Sequence, residues 1–424
     1  MFRDDPETTV VAFTAAQIPG IEDRVYPPSL AGPRYPEGIP ILPEEELPAL
    51  VRDREVDDVV LAYSDLAHHD VMHKASVAMA AGADFRLLGP RATMLSSTRP
   101  VVAVCATRIG AGKSQTSRRV GRLLLDAGLQ VALVRHLMPY GDLDAMRVQR
   151  FASLADIDAA DPTIEEREEY EEPVRQGMVM YAGVDYQAIL RRAETEADVI
   201  VWDGGNNDFP FFAPDLLITV TDPQRPGHEL GYPGEVNLRM ADVVVINKVD
   251  SADLPSVARV VANVSTVNPT ATVIKASSPV TLEAGPTLAG LRVLVAEDGP
   301  TLTHGGMPFG AGTVAARHAG ASELVDPRPY AVGSIVDTYA RYRHIGASVP
   351  AMVYGKRQID ELEATIAATP CDIVITGTPI DLRRIMMNID VPVRHATYEL
   401  REVGSPALAD VLAPLIERFG LTRR

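Results

Sequence analysis

Six short runs of Val, Ile, Leu and Ala dominate the middle of this chain: VVAVCAT from Val101, QVALVRH from Gln130, DVIVWDG from Asp198, DLLITVTD from Asp215, DVVVINK from Asp242 and TATVIKAS from Thr270. Their apolar content does not alternate, so each must be buried on both faces. A sheet covered by helices on both sides, as parallel sheets are, meets that demand. Helical patterns such as SQTSRRVGRLLLDAG fill the intervals. The chain therefore reads as α/β, and its ligands belong at the carboxyl ends of these strands, where open parallel sheets form their crevices.

The flanks extend the same grammar. TVVAF, DVVLAYSD and DFRLLG read as strands, with helices over PEEELPALVRDREVD and HHDVMHKASVAMAAGA, the latter stopping at Gly82. Residues 1–95 are thus expected to form a small parallel-sheet domain, with the proline-rich YPPSLAGPRYPEGIPILP as a long stiff loop that is either a linker or a contact. A P-loop-type parallel-sheet domain is expected over 96–280. The stretch 281–424, with LRVLVAEDGPT, THGGMPFGAG and CDIVITGTP, is expected to be α/β and either to continue that second domain or to form a third unit.

Composition narrows the partners. A formal charge of −17 with a sequence pI near 5.0 argues against non-specific binding to nucleic acid or anionic membranes, which depend on a basic surface. An anionic ligand must then be met by a local cluster of cations. Two cysteines are too few for a disulfide framework and suit a reducing compartment. The acidic start and the lack of a spanning apolar run lead to the expectation of a cytoplasmic protein.

TRIGAGKS, residues 107–114, follows the first apolar run and opens a helix. Such a loop wraps phosphate oxygens with amides of Gly110, Ala111, Gly112, Lys113, Ser114 and Gln115, sends Lys113 to the outer phosphates and offers the Ser114 hydroxyl to Mg2+. The regular spacing wants glycine at 107, where this chain has Thr. Asp203 ends another apolar run and is the candidate second metal ligand or, alternatively, a turn cap; Asn206, Asn207 and Asp208 follow it. In VVVINKVD, a carboxylate at Asp250 suits the ring NH and exocyclic amine of guanine, whereas Asn247 can also read adenine. Asn247, Lys248, Asp250 and Ser277 are the base-side candidates, with ATP or GTP left open. Arg135 and His136, and Arg225 and His228, end neighbouring runs and either bind a small phosphorylated or carboxylate metabolite or pair with nearby acids. TIEEREEYEEP, with six Glu in eleven residues, reads as a solvated helix or as a lid carrying a metal carboxylate. His69 and His73 lie one helical turn apart without a third ligand in view and read as surface residues.

Across AYSD, GADFRLLGP, GAGKSQTSR, RHLMPYGDL, WDGGNND, DPQRPGHEL, NKVD and MVYGKRQIDELEATI the chain resembles the cyclic 2,3-diphosphoglycerate synthetase family and its related predicted P-loop GTPases. That resemblance implies a Rossmann-like fold for the parallel-sheet domain of residues 1–95, Mg2+, ATP as phosphoryl donor, a homodimer, and transfer of phosphoryl to a small anion that is then cyclised. Lys113, Asp203, Arg225 and His228 would carry the transfer. A regulatory or chaperone-type GTPase is the alternative.

Overall fold

The computed structural model describes residues 2–15, 21, 24–137, 141–205, 207–303, 305–352, 355–386 and 389–420. Short strands open the chain: β1 (Phe13–Ala15), β2 (Val25–Tyr26), β3 (Ile39–Pro43), β4 (Asp58–Val60) and β5 (Asp84–Arg86). The six central runs become β6 (Val101–Ala106), β7 (Val131–Arg135), β10 (Val199–Gly204), β11 (Leu216–Thr221), β12 (Val243–Ile246) and β13 (Thr272–Ser277). Between β7 and β10 lie β8 (Gln149–Phe151) and β9 (Val179–Ala182). Six further strands follow: β14 (Val280–Leu282), β15 (Arg292–Asp298), β16 (Glu323–Leu324), β17 (Val349–Ala351), β18 (Ile373–Gly377) and β19 (Val393–Tyr398). Arg401–Glu402 forms β20.

The largest sheet has nine strands in the order β20-β13-β12-β11-β6-β10-β7-β9-β8. Its interior pairs are all parallel, while β8 and β20 close the edges antiparallel. Every residue of β6 and β10 is buried. Val102, Val104, Val199 and Val201 face one apolar layer, and Val101, Ala103, Ile200 and Trp202 face the other. Because β6 lies between β10 and β11, the loop that leaves it is flanked on both sides by strand ends. The helix Lys113–Asp126 follows that loop and buries Val120 and Leu124 on the sheet.

The strands of 280–398 hydrogen-bond among themselves, in the order β14-β19-β18-β15-β16 with β17 also paired to β15. Among the described residues of this region only β20 joins the larger sheet, and its Glu402 accepts from Arg119 on the helix after the loop. The terminal helix Leu408–Arg418 also returns there, burying Leu408, Leu412 and Leu415 in the larger core. Two separate cores serve the faces of the smaller sheet.

At the amino end the expected single parallel sheet is split. The order β1-β3-β2 gives one mixed sheet, and β4 and β5 form a parallel pair. The proline-rich stretch is less irregular than its composition predicts, because Ile39–Pro43 pairs with both neighbours. Each pairing spans three residues or fewer, so its prolines cost few ladder bonds. The helix His68–Ala81 ends as expected at Gly82, whose φ is +112°. The architecture is mixed α/β with several parallel-stranded sheets. Among the described residues no helix is long and apolar enough to cross a membrane, and both cysteines are free thiols.

Candidate active site

Gly110 and Gly112 adopt φ of +79° and +108°, the left-handed conformations that let a backbone curl around an anion. Gly112 is further constrained from outside, since a Cβ there would sit 2.1 Å from Asn247 Nδ2. Thr107 behaves differently. It still belongs to the sheet, its N–H donating 2.9 Å to the Val220 carbonyl. The close approach at this point is provided by Gly234, where a Cβ would fall 2.0 Å from the Thr107 carbonyl. The Thr107 backbone does not adopt a positive φ, so the position makes no conformational demand for glycine.

Lys113 is 8% exposed and Asp203 3%. The Lys113 ammonium donates 3.0 Å to the Asp203 carboxylate and also contacts the Asp203 carbonyl. Arg135 Nη1 donates 2.6 Å to the same carboxylate and 3.4 Å to the Ser114 hydroxyl, while its Nη2 lies 2.7 Å from Glu169. Ser117 donates to Asp203 as well. Burial pushes the Asp203 carboxyl up, but the adjacent Lys113 and Arg135 outweigh it and hold it below the usual carboxylate range. One guanidinium nitrogen thus sits where Ser114 and Asp203 converge, and a cation is what those two groups would hold as metal ligands. The donor set fits Mg2+, with Glu169 close by. Among the described residues no cluster of three or more His, Cys, Asp or Glu is present, and His69 sits exposed against Asp70.

The four residues expected at a substrate anion separate into two places. Arg135 is committed to Asp203 and Glu169, and His136 Nδ1 lies 2.8 Å from Asp208 against the rings of Tyr186 and Phe211. Arg225 and His228 instead gather on the outer side of the loop. Arg225 Nη2 donates 2.8 Å to the Ile109 carbonyl and 3.2 Å to Asp222, and Arg108 reaches across to His228 Nδ1. Burial, Arg108 and Arg225 lower the His228 imidazole below its ordinary value, keeping it neutral. Arg108 and Asp222 were not singled out in the sequence, although both lie at strand ends next to motif residues.

On the base side, Asn247 is fully buried and its amide donates 3.0 Å to the Ala111 carbonyl. Lys248, at a φ of +56°, donates 2.6 Å to the Gly110 carbonyl. Both brace the loop from beneath. Asp250 is exposed and accepts 3.2 Å from the Ser278 amide, and the Ser278 hydroxyl donates 3.1 Å to Gln115. Ser277, the last residue of β13, turns the other way, donating 3.2 Å to the Arg401 carbonyl on the neighbouring β20. Asn207 donates 3.2 Å to the Thr107 carbonyl, whereas Asn206 lies outside the described residues. The Glu-rich stretch is a helix (Ile164–Arg175) that is solvated only in part: Glu172 is exposed, whereas Glu166 and Glu171 are buried and Glu171 accepts from Arg167, Arg175 and Arg384.

Around the loop, Asn207 Oδ1, Asn247 Oδ1, Arg108 Nε and Arg225 Nε are buried without hydrogen-bond partners. Unsatisfied groups of that kind mark a place prepared for a polar ligand. Fold and site together define a mixed α/β protein with a glycine-rich GKS loop at the carboxyl edge of its central strands. The chain belongs to the family of arginine synthetase ArcE of Thermococcus kodakarensis, to which it is 59% identical over 412 residues, 97% of this chain and 92% of that protein. No family model matches the chain. A solved structure of the hydrogenase maturation factor HypB from Archaeoglobus fulgidus aligns at 17% identity over 42% of this chain and 81% of that one, with a TM-score of 0.28. The relative is named for arginine, and the comparisons give no support to cyclic 2,3-diphosphoglycerate as the product.

Proposed function

We propose that this protein is a nucleotide-driven, Mg2+-dependent synthetase that makes arginine from its ureido analogue, citrulline, and ammonia. The observation that carries the reading is the 59% identity, over nearly the whole chain, to a protein named arginine synthetase. The chemistry calls for what a phosphate-binding loop offers. A ureido oxygen is a poor leaving group until it is phosphorylated. Transfer of the terminal phosphoryl group of the nucleotide to that oxygen leaves the nucleoside diphosphate and an activated carbon. Ammonia attacks the carbon, the C–O bond breaks, inorganic phosphate leaves and the added nitrogen sheds a proton. The sum is nucleoside triphosphate plus citrulline plus ammonia to arginine, nucleoside diphosphate and phosphate, with no redox change.

In this reading the amides from Gly110 to Gln115 and the Lys113 ammonium hold the phosphates. Ser114 and Asp203 hold Mg2+, which supplies neutralisation of phosphate charge when bound. For Lys113 to reach a phosphate it must leave Asp203, and for Mg2+ to bind, Arg135 must withdraw from the same carboxylate toward Glu169. Arg225 and His228 serve the anionic groups of the acceptor. Phosphoryl transfer of this kind rests mainly on positioning and charge neutralisation. Residues 1–95, 96–280 and 281–424 are taken as its structural units, with a homodimer as the assembly and a cytoplasmic location. The exposed carboxylate of Asp250 keeps GTP beside ATP as donor.

The test is direct. The purified protein is incubated with citrulline, ammonium, Mg2+ and either ATP or GTP, and arginine is quantified by mass spectrometry against released phosphate. One arginine per phosphate supports the proposal. No arginine with either nucleotide overturns it, and a parallel incubation with 2,3-diphosphoglycerate would expose a ring-closing activity.

A further inference from the structure

Arg108 and Arg225 meet at a single neutral atom. Arg225 Nη1 donates to the main-chain carbonyl of Gly305, and Arg108 Nη2 points to the same oxygen at 3.5 Å. That carbonyl belongs to the segment leaving β15, so it comes from the smaller sheet's side of the molecule and bears on the mouth of the phosphate-binding loop. The turn that carries it is built for close approach. A Cβ at Gly305 would strike the Thr301 carbonyl at 2.4 Å, and Gly306 has a φ of +66°. The Gly305 amide donates to Pro300 and that of Met307 to Thr301, so the described residues of the turn are tied back to 300 and 301.

Cations crowd that oxygen. Arg225 and Lys248 donate to the carbonyls of Ile109 and Gly110 with Arg108 alongside, while Asp222 pairs with Arg225 and both Asp65 and Asp222 act on Arg108. Both guanidinium groups retain a buried Nε without a partner, and the Arg225 side chain is only 10% exposed. Placing two like charges against one peptide carbonyl is electrostatically wasteful in a chain with an excess of acids, unless an anion completes the site.

We propose that Arg108 and Arg225 form a clamp for a ligand oxyanion, and that the Gly305 carbonyl fills its seat until the ligand arrives and the turn is displaced. The inference rests on the nucleotide-binding reading above and adds Arg108 and the C-terminal turn to it. The oxyanion comes either from the terminal phosphoryl group of the nucleotide or from the carboxylate of the acceptor. In both cases the guanidinium forks exchange a neutral acceptor for a charged one. Displacement of the turn then couples ligand arrival to the part of the chain that follows β15.

The experiment uses the full chain and three probes: the β,γ-imido triphosphates of adenosine and guanosine, the matching diphosphates, and citrulline added to the diphosphate complex. Affinities are measured by calorimetry for wild type, Arg108→Ala, Arg225→Ala and Arg225→Lys, with circular dichroism and diphosphate affinity as controls for folding. A tenfold or greater loss for the imido triphosphate, with diphosphate affinity held within twofold, assigns the oxyanion to the terminal phosphate. The same loss confined to citrulline assigns it to the carboxylate. Hydrogen exchange across 299–307 is expected to rise in wild type when the effective probe binds. Unchanged affinities for both probes, or exchange that stays level or falls, overturn the clamp. Wild type that binds no nucleotide at all defeats the nucleotide reading instead, and the two failures are told apart by the diphosphate titration.

Discussion

Asn247→Ala separates two roles that the pattern NKVD leaves together, reading a base and bracing the loop. The side chain is fully buried, its Nδ2 donates 3.0 Å to the Ala111 carbonyl, and it fills the space beside the absent Cβ of Gly112. Truncation leaves the Ala111 carbonyl buried without that donor, a penalty of about 1 to 3 kcal/mol. It also removes the wall against which Gly112 holds its left-handed turn. If bracing is the role, the loss falls on the phosphate cradle, so affinity should drop roughly 5- to 150-fold, the same free energy expressed as binding. ATP, GTP and inorganic tripolyphosphate should all weaken by similar factors in calorimetry, while urea unfolding shifts to lower midpoint with unchanged slope. A variant that loses one purine more than tenfold over the other, and binds tripolyphosphate as wild type does, would refute the bracing argument and return Asn247 to the base.

The other expectations follow from single contacts. Lys113→Ala should abolish nucleotide turnover and also lower the urea midpoint, because the ammonium is a buried partner of Asp203 rather than a surface group; unchanged turnover would remove the loop assignment. Asp250→Asn should weaken GTP far more than ATP if the carboxylate reads guanine, and equal small effects would mark Asp250 as structural. Burial raises the Glu171 carboxyl, but hydrogen bonds from Arg175, Arg384 and Arg167 bring it to about 2, below the ordinary 4.5. Its stabilisation is thus present above 4.5 and is lost as pH falls toward 2. The stability gap between wild type and Glu171→Gln should accordingly close over that window in acid titrations followed by circular dichroism. Arg108→Ala should raise the His228 imidazole toward 6.5 in NMR titration, because one of the cations that keep it neutral is gone. With the wild-type value lowered, the stability tied to neutral His228 is present above 6.5 and lost as pH falls, and the variant should lose less of it.

Much of the site was legible because strand ends carry their chemistry in sequence order. A run of residues buried on both faces must end at a crevice, so Lys113, Asp203, Arg225 and Asn247 could be placed near one another from the chain alone. What escaped were pairings set by distance across the sheet. Nothing in RHLMPYGDL states that Arg135 will meet Asp203 and Glu169 rather than a ligand, and nothing in TIEEREEYEEP states which Glu faces inward. The split of the Arg and His residues into two groups arises because β7 lies beyond β10, whereas β11 lies on the other side of β6. Ser277 ends β13 and contacts Arg401 on the edge strand, while Ser278 just beyond it reaches Gln115, a distinction that adjacent identical residues do not announce.

The sequence by itself determined the elements and their chemistry: apolar runs that can only be buried strands, glycines at 110 and 112 that free the backbone, and a Lys-Ser pair at a helix start. These depend on local periodicity and backbone sterics, which neighbouring residues settle. Tertiary structure alone decided that Gly234 packs directly against the Thr107 carbonyl. It likewise decided that 280–398 forms its own sheet and that the Gly305 carbonyl rests between Arg108 and Arg225. Those outcomes turn on which surfaces meet after the strands are ordered, and contacts between residues distant in the chain leave no periodic trace in it.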